Sequence, residues 1–255
     1  MLSNIWNVAL YNPFVNLLAF LISIIPGGDV GIAIILLTLL VKIALFPLSQ
    51  KSIKSQAILN RLAPELKKIK ESGASKEEQA KQTFELYKTH KTNPFSGCLI
   101  LLIQIPIIFA LYYVFYKGLS FDSGILYSFI PKPESLNMNF LGLIDIGQKS
   151  LLLAILAGGS QYLQAHFMPK PAEGSSQKGS FQDSFAKSMQ MQMKYIFPFV
   201  VIFISYSISG AIALYWIVSN LFAVGQQMYV NKQNNSDKDP NNDTVIGRVV
   251  EAKDL

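Results

Sequence analysis

Cysteine occurs once in these 255 residues, as Cys98 at the head of an apolar run, so a single chain can hold neither a disulfide framework nor a CxxC metal site. Packing is the role left to it, and a cleaved lipoprotein signal near the N-terminus is excluded by the same count. Histidine is nearly absent as well. His90 and His166 stand far apart and form no HExxH pair, no Gly-rich phosphate loop is present, and no carboxylate falls inside an apolar run. Metal, cofactor and covalent chemistry therefore have little to build on. A Ser-Lys protease dyad would have to use Lys42, and no serine stands out as its partner. No basic residue precedes Lys42, so the start lacks the positive n-region of a secretory signal peptide, and the N-terminus is expected to stay on the mature protein. Charge of either sign is scarce, at 15% of residues, while 51% are apolar. That balance is too apolar for an ordinary soluble domain. The net charge of +6 would suggest nucleic acid on a soluble protein. Here its placement along the chain matters more than its sum, and no direct nucleic-acid binding is expected.

What the chain has is apolar runs near the roughly 20 residues that a helix needs to cross hydrocarbon. The reading is an all-α integral membrane protein with five spans. The first covers about 30–48, holds Lys42 and is expected to end at Pro47; the second covers about 94–117, starting at Asn93-Pro94 with a kink at Pro106. The third, about 150–168, is closed by Pro169. The stretch Tyr195 to Tyr229 has 35 residues, which would make about 50 Å of helix. It must fold back, and Ser205 to Gly210 is the best place, giving spans 193–208 and 211–229. Residues 1–28 read differently: Ala9 to Pro26 carries two Asn and only a short unbroken apolar run, which suits an interfacial helix better than a crossing.

Lys and Arg are retained on the cytoplasmic side of a membrane. Ten lie between Ser49 and Thr92, four between Pro169 and Lys194, and four after Val230, against Lys117, Lys132 and Lys149 on the other side. The long loops and the C-terminus are thus expected to face the cytoplasm. Within 50–92, Ile53, Ala57, Leu62, Leu66 and Ile69 recur at helical steps up to and past Pro64. Ser72-Gly73 breaks the pattern, and Ser75-Lys76-Glu77-Glu78 has the form of a capping box for a second helix with Ala80, Phe84 and Tyr87 on one face. A cytoplasmic helical hairpin is predicted. The tail 231–255 and the stretch Pro171 to Ser180 are expected to be unstructured. No internal repeat is visible, which disfavours an inverted-repeat transporter.

Lys42 is the most informative residue, because an ammonium in hydrocarbon costs about 2.5 to 3.5 kcal/mol on insertion scales. Its stem could reach the cytoplasmic interface, or the ammonium could face a water-filled cavity between helices. Thr38 lies one turn before it on the same face. Other spans supply Gln104, Gln161, Gln164, Trp216, Ser219 and Asn220, each also explicable as an interhelical hydrogen bond. Together they point to a shared polar cavity.

The motifs GIAIILLTLLVKIALFPL, APELKKIKE with ELYKTHKTNPFSGCLILLIQIPI, and ALYWIVSNLFAVGQQ, in that order, resemble the YidC-type insertase family. The resemblance implies five spans enclosing a hydrophilic groove, open to cytoplasm and lipid and closed on the outer side, that helps nascent membrane proteins enter the bilayer without covalent chemistry. It places Lys42 where the family usually has arginine, keeping the charge but losing the guanidinium's bidentate fork. It makes Gln164 and Trp216 groove-lining positions. It also implies the compact form without a large periplasmic domain. The Sec translocon, the ribosome and the signal recognition particle are the further candidate partners. The short tail, with few basic residues, argues against strong ribosome docking. The hairpin would receive the substrate, or else lie on the anionic lipid surface. Two rival readings are a small-solute transporter or channel using Lys42 and a purely structural assembly factor.

Overall fold

The computed structural model describes residues 6–93, 96–116, 121, 124–168, 188 and 190–236. Among these the chain is mostly helical, in apolar helices suited to a membrane. Helix α1, Asn7–Ile24, opens on a π turn and carries Pro13 near the start of its α-helical part, where the missing N–H costs least. Its 18 residues would suffice to cross a bilayer by length and composition, so length does not separate a crossing from the interfacial expectation. The chain turns through Pro26–Gly28, where Gly27 and Gly28 take positive φ. A Cβ on Gly28 would also strike Ser135.

Helix α2, Val30–Arg61, is capped by Asp29, whose carboxylate accepts from the Ile32 amide at 3.0 Å. Contrary to expectation, α2 does not end at Pro47 but runs on for a total of 32 residues. An internal proline removes one ladder bond and crowds the preceding turn, which bends a helix without ending it when the flanking residues sustain the ladder. Here Gln226 supports that site, donating to the Phe46 carbonyl at 3.3 Å and to Ser49 Oγ at 2.6 Å. The first part of the 50–92 region therefore belongs to the long rod. The hairpin proper is α3, Ala63–Glu71, packed on α4, Lys76–Thr89. Gly73 makes the turn at φ +70°, and Ser75 Oγ accepts from the Glu78 amide at 3.2 Å, as the capping pattern foresaw.

Helix α5, Ser96–Tyr116, contains Pro106. Helix α6, Leu151–Phe167, is capped by Ser150, whose Oγ accepts from the Leu153 amide. Helix α7, Gln192–Ile208, begins in a π turn, and extended Ser209 separates it from α8, Gly210–Ser236. The fold-back thus falls in the expected segment. The final helix continues past Tyr229, so the first six residues of the expected unstructured tail are helical. Pro169, the stretch Pro171 to Ser180 and the rest of the tail lie outside the described residues.

One element departs from an all-α reading. Strands β1, Asn139–Phe140, and β2, Ile144–Asp145, form an antiparallel ribbon. Leu141 in its turn takes a positive φ, costly for a branched side chain, and donates its amide to Asp29 at 2.9 Å. One carboxylate therefore caps α2 and pins the ribbon. The same segment is stitched to α2 through Val30 and Asn137, and to the start of α8 through Gln148 with Gly210 and Ile146 with Ala211. Asn16 of α1 accepts from the Tyr127 amide at 2.6 Å and donates to the Ile125 carbonyl at 2.9 Å.

These bonds define one end of the bundle, taken here as the upper end. Helix α8 packs between α2 and α6, α6 packs on α7, and α5 and α1 pack on α2. The apolar core gathers at the upper end: Val30, Ala33, Ile34 and Leu37 of α2 meet Ile107, Leu111 and Val114 of α5 and Ala211 to Ala213 of α8. Gly158 lets α6 and α7 approach closely, since a Cβ there would collide with Ile202.

Candidate functional site

Directly below that core single polar residues interrupt the apolar helices. Lys42 sits twelve residues into α2, about 18 Å along its axis. Its Nζ donates to Gln104 Oε1 of α5 at 3.1 Å, and no carboxylate among the described residues pairs with it. The Gln104 amide then donates through Nε2 to the hydroxyl of Tyr215 on α8. Because the amide accepts from an ammonium on one side, its orientation is fixed: only its NH2 remains for Tyr215. Ser219, buried one turn along α8, faces the same hydroxyl. Three helices thus meet around one ammonium, joined by neutral polar groups.

The surroundings are asymmetric. Above, Thr38 is buried and donates to the Ile34 carbonyl of its own helix at 2.6 Å, so it closes a turn of α2 instead of reaching Lys42. Below, no residue of α2 from Leu39 to Lys51 is buried. Lys42 itself is half-buried. The charge therefore lies just below the buried part of α2, where the helix becomes more exposed.

Apart from Gln104, none of the other expected site residues shares a hydrogen bond with Lys42. Asn220 donates to Ser160 Oγ of α6 at 3.0 Å, and Ser160 donates to the Ala157 carbonyl, an interhelical clasp on the far flank of α8. Gln161 is buried beside that clasp and Gln164 half-buried one turn lower. Trp216 is buried in the apolar core and has no hydrogen bond to Lys42. The polar residues thus form two groups, one toward α2 and α5 and one toward α6.

Two residues escaped the sequence reading. Tyr215 lies four residues before Ser219, hence on its face, and that spacing was a usable signal obscured by the adjacent Trp216. Gln226, 7% exposed, was legible only as an amide in an apolar run. Among the described residues no group of three His, Cys, Asp or Glu could hold a metal ion.

Comparison with known proteins places the chain in a family. Residues 20–238 match the family model described as 60Kd inner membrane protein. The membrane protein insertase YidC of Fusobacterium nucleatum is 35% identical over 228 residues, covering 88% of this chain and 98% of that protein. That of Clostridium tetani is 33% identical over 229 residues, covering 89% and 93% respectively. The YidC insertase of Magnetococcus marinus is 31% identical over 231 residues, which amount to 89% of this chain but 36% of that protein. Extent of match and level of identity together place the chain: it belongs to the 60Kd inner membrane protein family, the YidC membrane protein insertases.

Proposed function

We propose that this insertase works through five spans, formed by the upper part of α2 and by α5, α6, α7 and α8, which enclose a hydrophilic groove open to the cytoplasm and to lipid. The upper end is the outer side, α1 lies in the outer interface, and the hairpin α3–α4 and the C-terminus are cytoplasmic. The Lys and Arg bias supports that orientation, with eighteen on the loops assigned to the cytoplasm and three opposite. The ties from Asn16 to residues 125 and 127 support an α1 held at the outer surface.

One observation carries the mechanism: an ammonium well inside a bilayer-length helix, held by Gln104 beneath an apolar core. A nascent membrane protein with acidic residues in a short translocated tail enters from the cytoplasm. Lys42 attracts the tail, Tyr215 and Ser219 offer hydroxyls to it, and water in the groove keeps it partly hydrated while the apolar segment slides into lipid. No bond is made or broken. Desolvation is the barrier lowered, because an unpaired carboxylate in hydrocarbon is far costlier than one facing an ammonium and hydroxyls. The hairpin receives the substrate or its targeting partner; the Sec translocon, the ribosome and the signal recognition particle are the candidates for that role.

Disulfide trapping tests the path. With Cys98 replaced by Ala, a single cysteine at Leu45, half-buried one turn below Lys42, is expected to capture a cysteine in the tail of an arrested single-span substrate. One at Phe203, 73% exposed on the far side of α7, is expected not to. Equal capture at both positions contradicts a groove at Lys42.

A further inference from the structure

A second cationic feature lies apart from the groove, where the lower end of α6 meets the start of α7. The π turn Gln192–Ile196 carries Lys194 and Tyr195. Such turns interrupt a regular helix and often mark functional positions. The Lys194 ammonium lies 5.9 Å from the ring centre of Tyr162 and 5.4 Å from that of Tyr195, while His166 stacks at 6.4 Å from Tyr162. No carboxylate among the described residues pairs with Lys194, and no Asp or Glu occurs anywhere in α6, α7 or α8. An ammonium held by aromatic faces keeps its N–H groups available to an anion. Directly along α7 from Tyr195 runs an apolar trough of about 560 Å³, in which Phe199 and Phe203 are 71% and 73% exposed.

We propose that this corner binds one anionic phospholipid, with the headgroup phosphate on Lys194 between Tyr162 and Tyr195 and an acyl chain in the trough. Charge complementarity selects the headgroup: the corner has a cation and hydrogen-bonding rings and, among the described residues, no acid paired with that cation. The trough selects a lipid over a soluble anion, because a free phosphate would leave Phe199 and Phe203 uncovered. Tyr at the membrane–water boundary beside a basic residue fits this chemistry, since each ring presents an apolar body and a polar tip at headgroup depth. The assignment rests on α6 and α7 being membrane spans, with their joined end at the cytoplasmic leaflet. It is independent of what Lys42 does.

The full chain, purified in detergent and offered equal phosphatidylglycerol and phosphatidylcholine, reports the site through native mass spectrometry of retained lipid. The parent is expected to prefer phosphatidylglycerol about fivefold, the effect of one basic residue near an anionic headgroup. Lys194→Gln loses the preference and Lys194→Arg keeps it. Phe199→Ala combined with Phe203→Ala lowers retention of both lipids. Lys42→Ala keeps the preference, so failure of the groove mechanism leaves this result standing. An unchanged preference in Lys194→Gln overturns the proposal, as does displacement of the lipid by an equal concentration of glycerol phosphate, which would mark a plain anion site.

Discussion

Gln104 joins two partners that never touch in sequence, accepting from Lys42 and donating to Tyr215. Replacing it by Leu removes a hydrogen bond to a charged group, worth about 1.5 to 3 kcal/mol, and leaves the ammonium facing an apolar wall. Gln104→Leu should therefore lower the melting midpoint in detergent. Lys42→Met should also do so, and the double variant should lose clearly less than the sum, because removing both partners leaves no orphan. Additive losses would show that the two side chains are energetically separate. Asp29 is the second residue with two duties, since one carboxylate caps α2 and holds the Leu141 amide. Asp29→Ala should cost about 1 to 2 kcal/mol of stability, and Asp29→Asn less, since one acceptor oxygen remains. Thermal unfolding followed by circular dichroism would rank them.

Helix ends were readable where a residue's own chemistry decides them and unreadable where a neighbour decides. Ser75, Gly73 and the extended Ser209 act locally, and the hairpin turn, the cap and the α7–α8 fold-back all fall where the sequence put them. Pro47 is different: the helix continues there next to the Gln226 clasp from α8, 180 residues away. The ribbon was missed because two-residue strands carry no periodicity, and its turn depends on Leu141 being held by Asp29. Packing between α6 and α7 gives a paired prediction. A Cβ at Gly158 would meet Ile202 and the Pro198 carbonyl, whereas nothing lies within 4 Å of one at Gly159. Gly158→Ala should destabilise by about 1 to 3 kcal/mol through overpacking. Gly159→Ala should be neutral or gain up to about 1 kcal/mol from helix propensity. If both variants melt alike, α6 and α7 are not packed as closely as described.

At the scale of the molecule, an apolar upper end and a polar level beneath it arise from one alternation of sequence. The first turns of α2 and α8 and the last turns of α5 are apolar, and below them Lys42, Tyr215 and Gln104 place one polar group from each helix in a single hydrogen-bonded chain. Lys42 and Gln104 were legible because polar residues stand out in an apolar run. Their partnership was less so, because it depends on the relative height of helices 62 residues apart in sequence. Tyr215 was hidden because tyrosine is unremarked in a membrane span, and the separation of Asn220 from Lys42 reflects which flank of α8 each faces. Attraction of an acidic tail by Lys42 can be read out in liposomes containing the purified chain. The measurement is insertion of two single-span substrates that differ only in carrying an acidic or a neutral tail. Lys42→Ala is expected to slow the acidic substrate about tenfold, equivalent to roughly 1.4 kcal/mol, while the neutral one changes little and Lys42→Arg retains the difference. Equal insertion of the acidic substrate by the parent and by Lys42→Ala would contradict it.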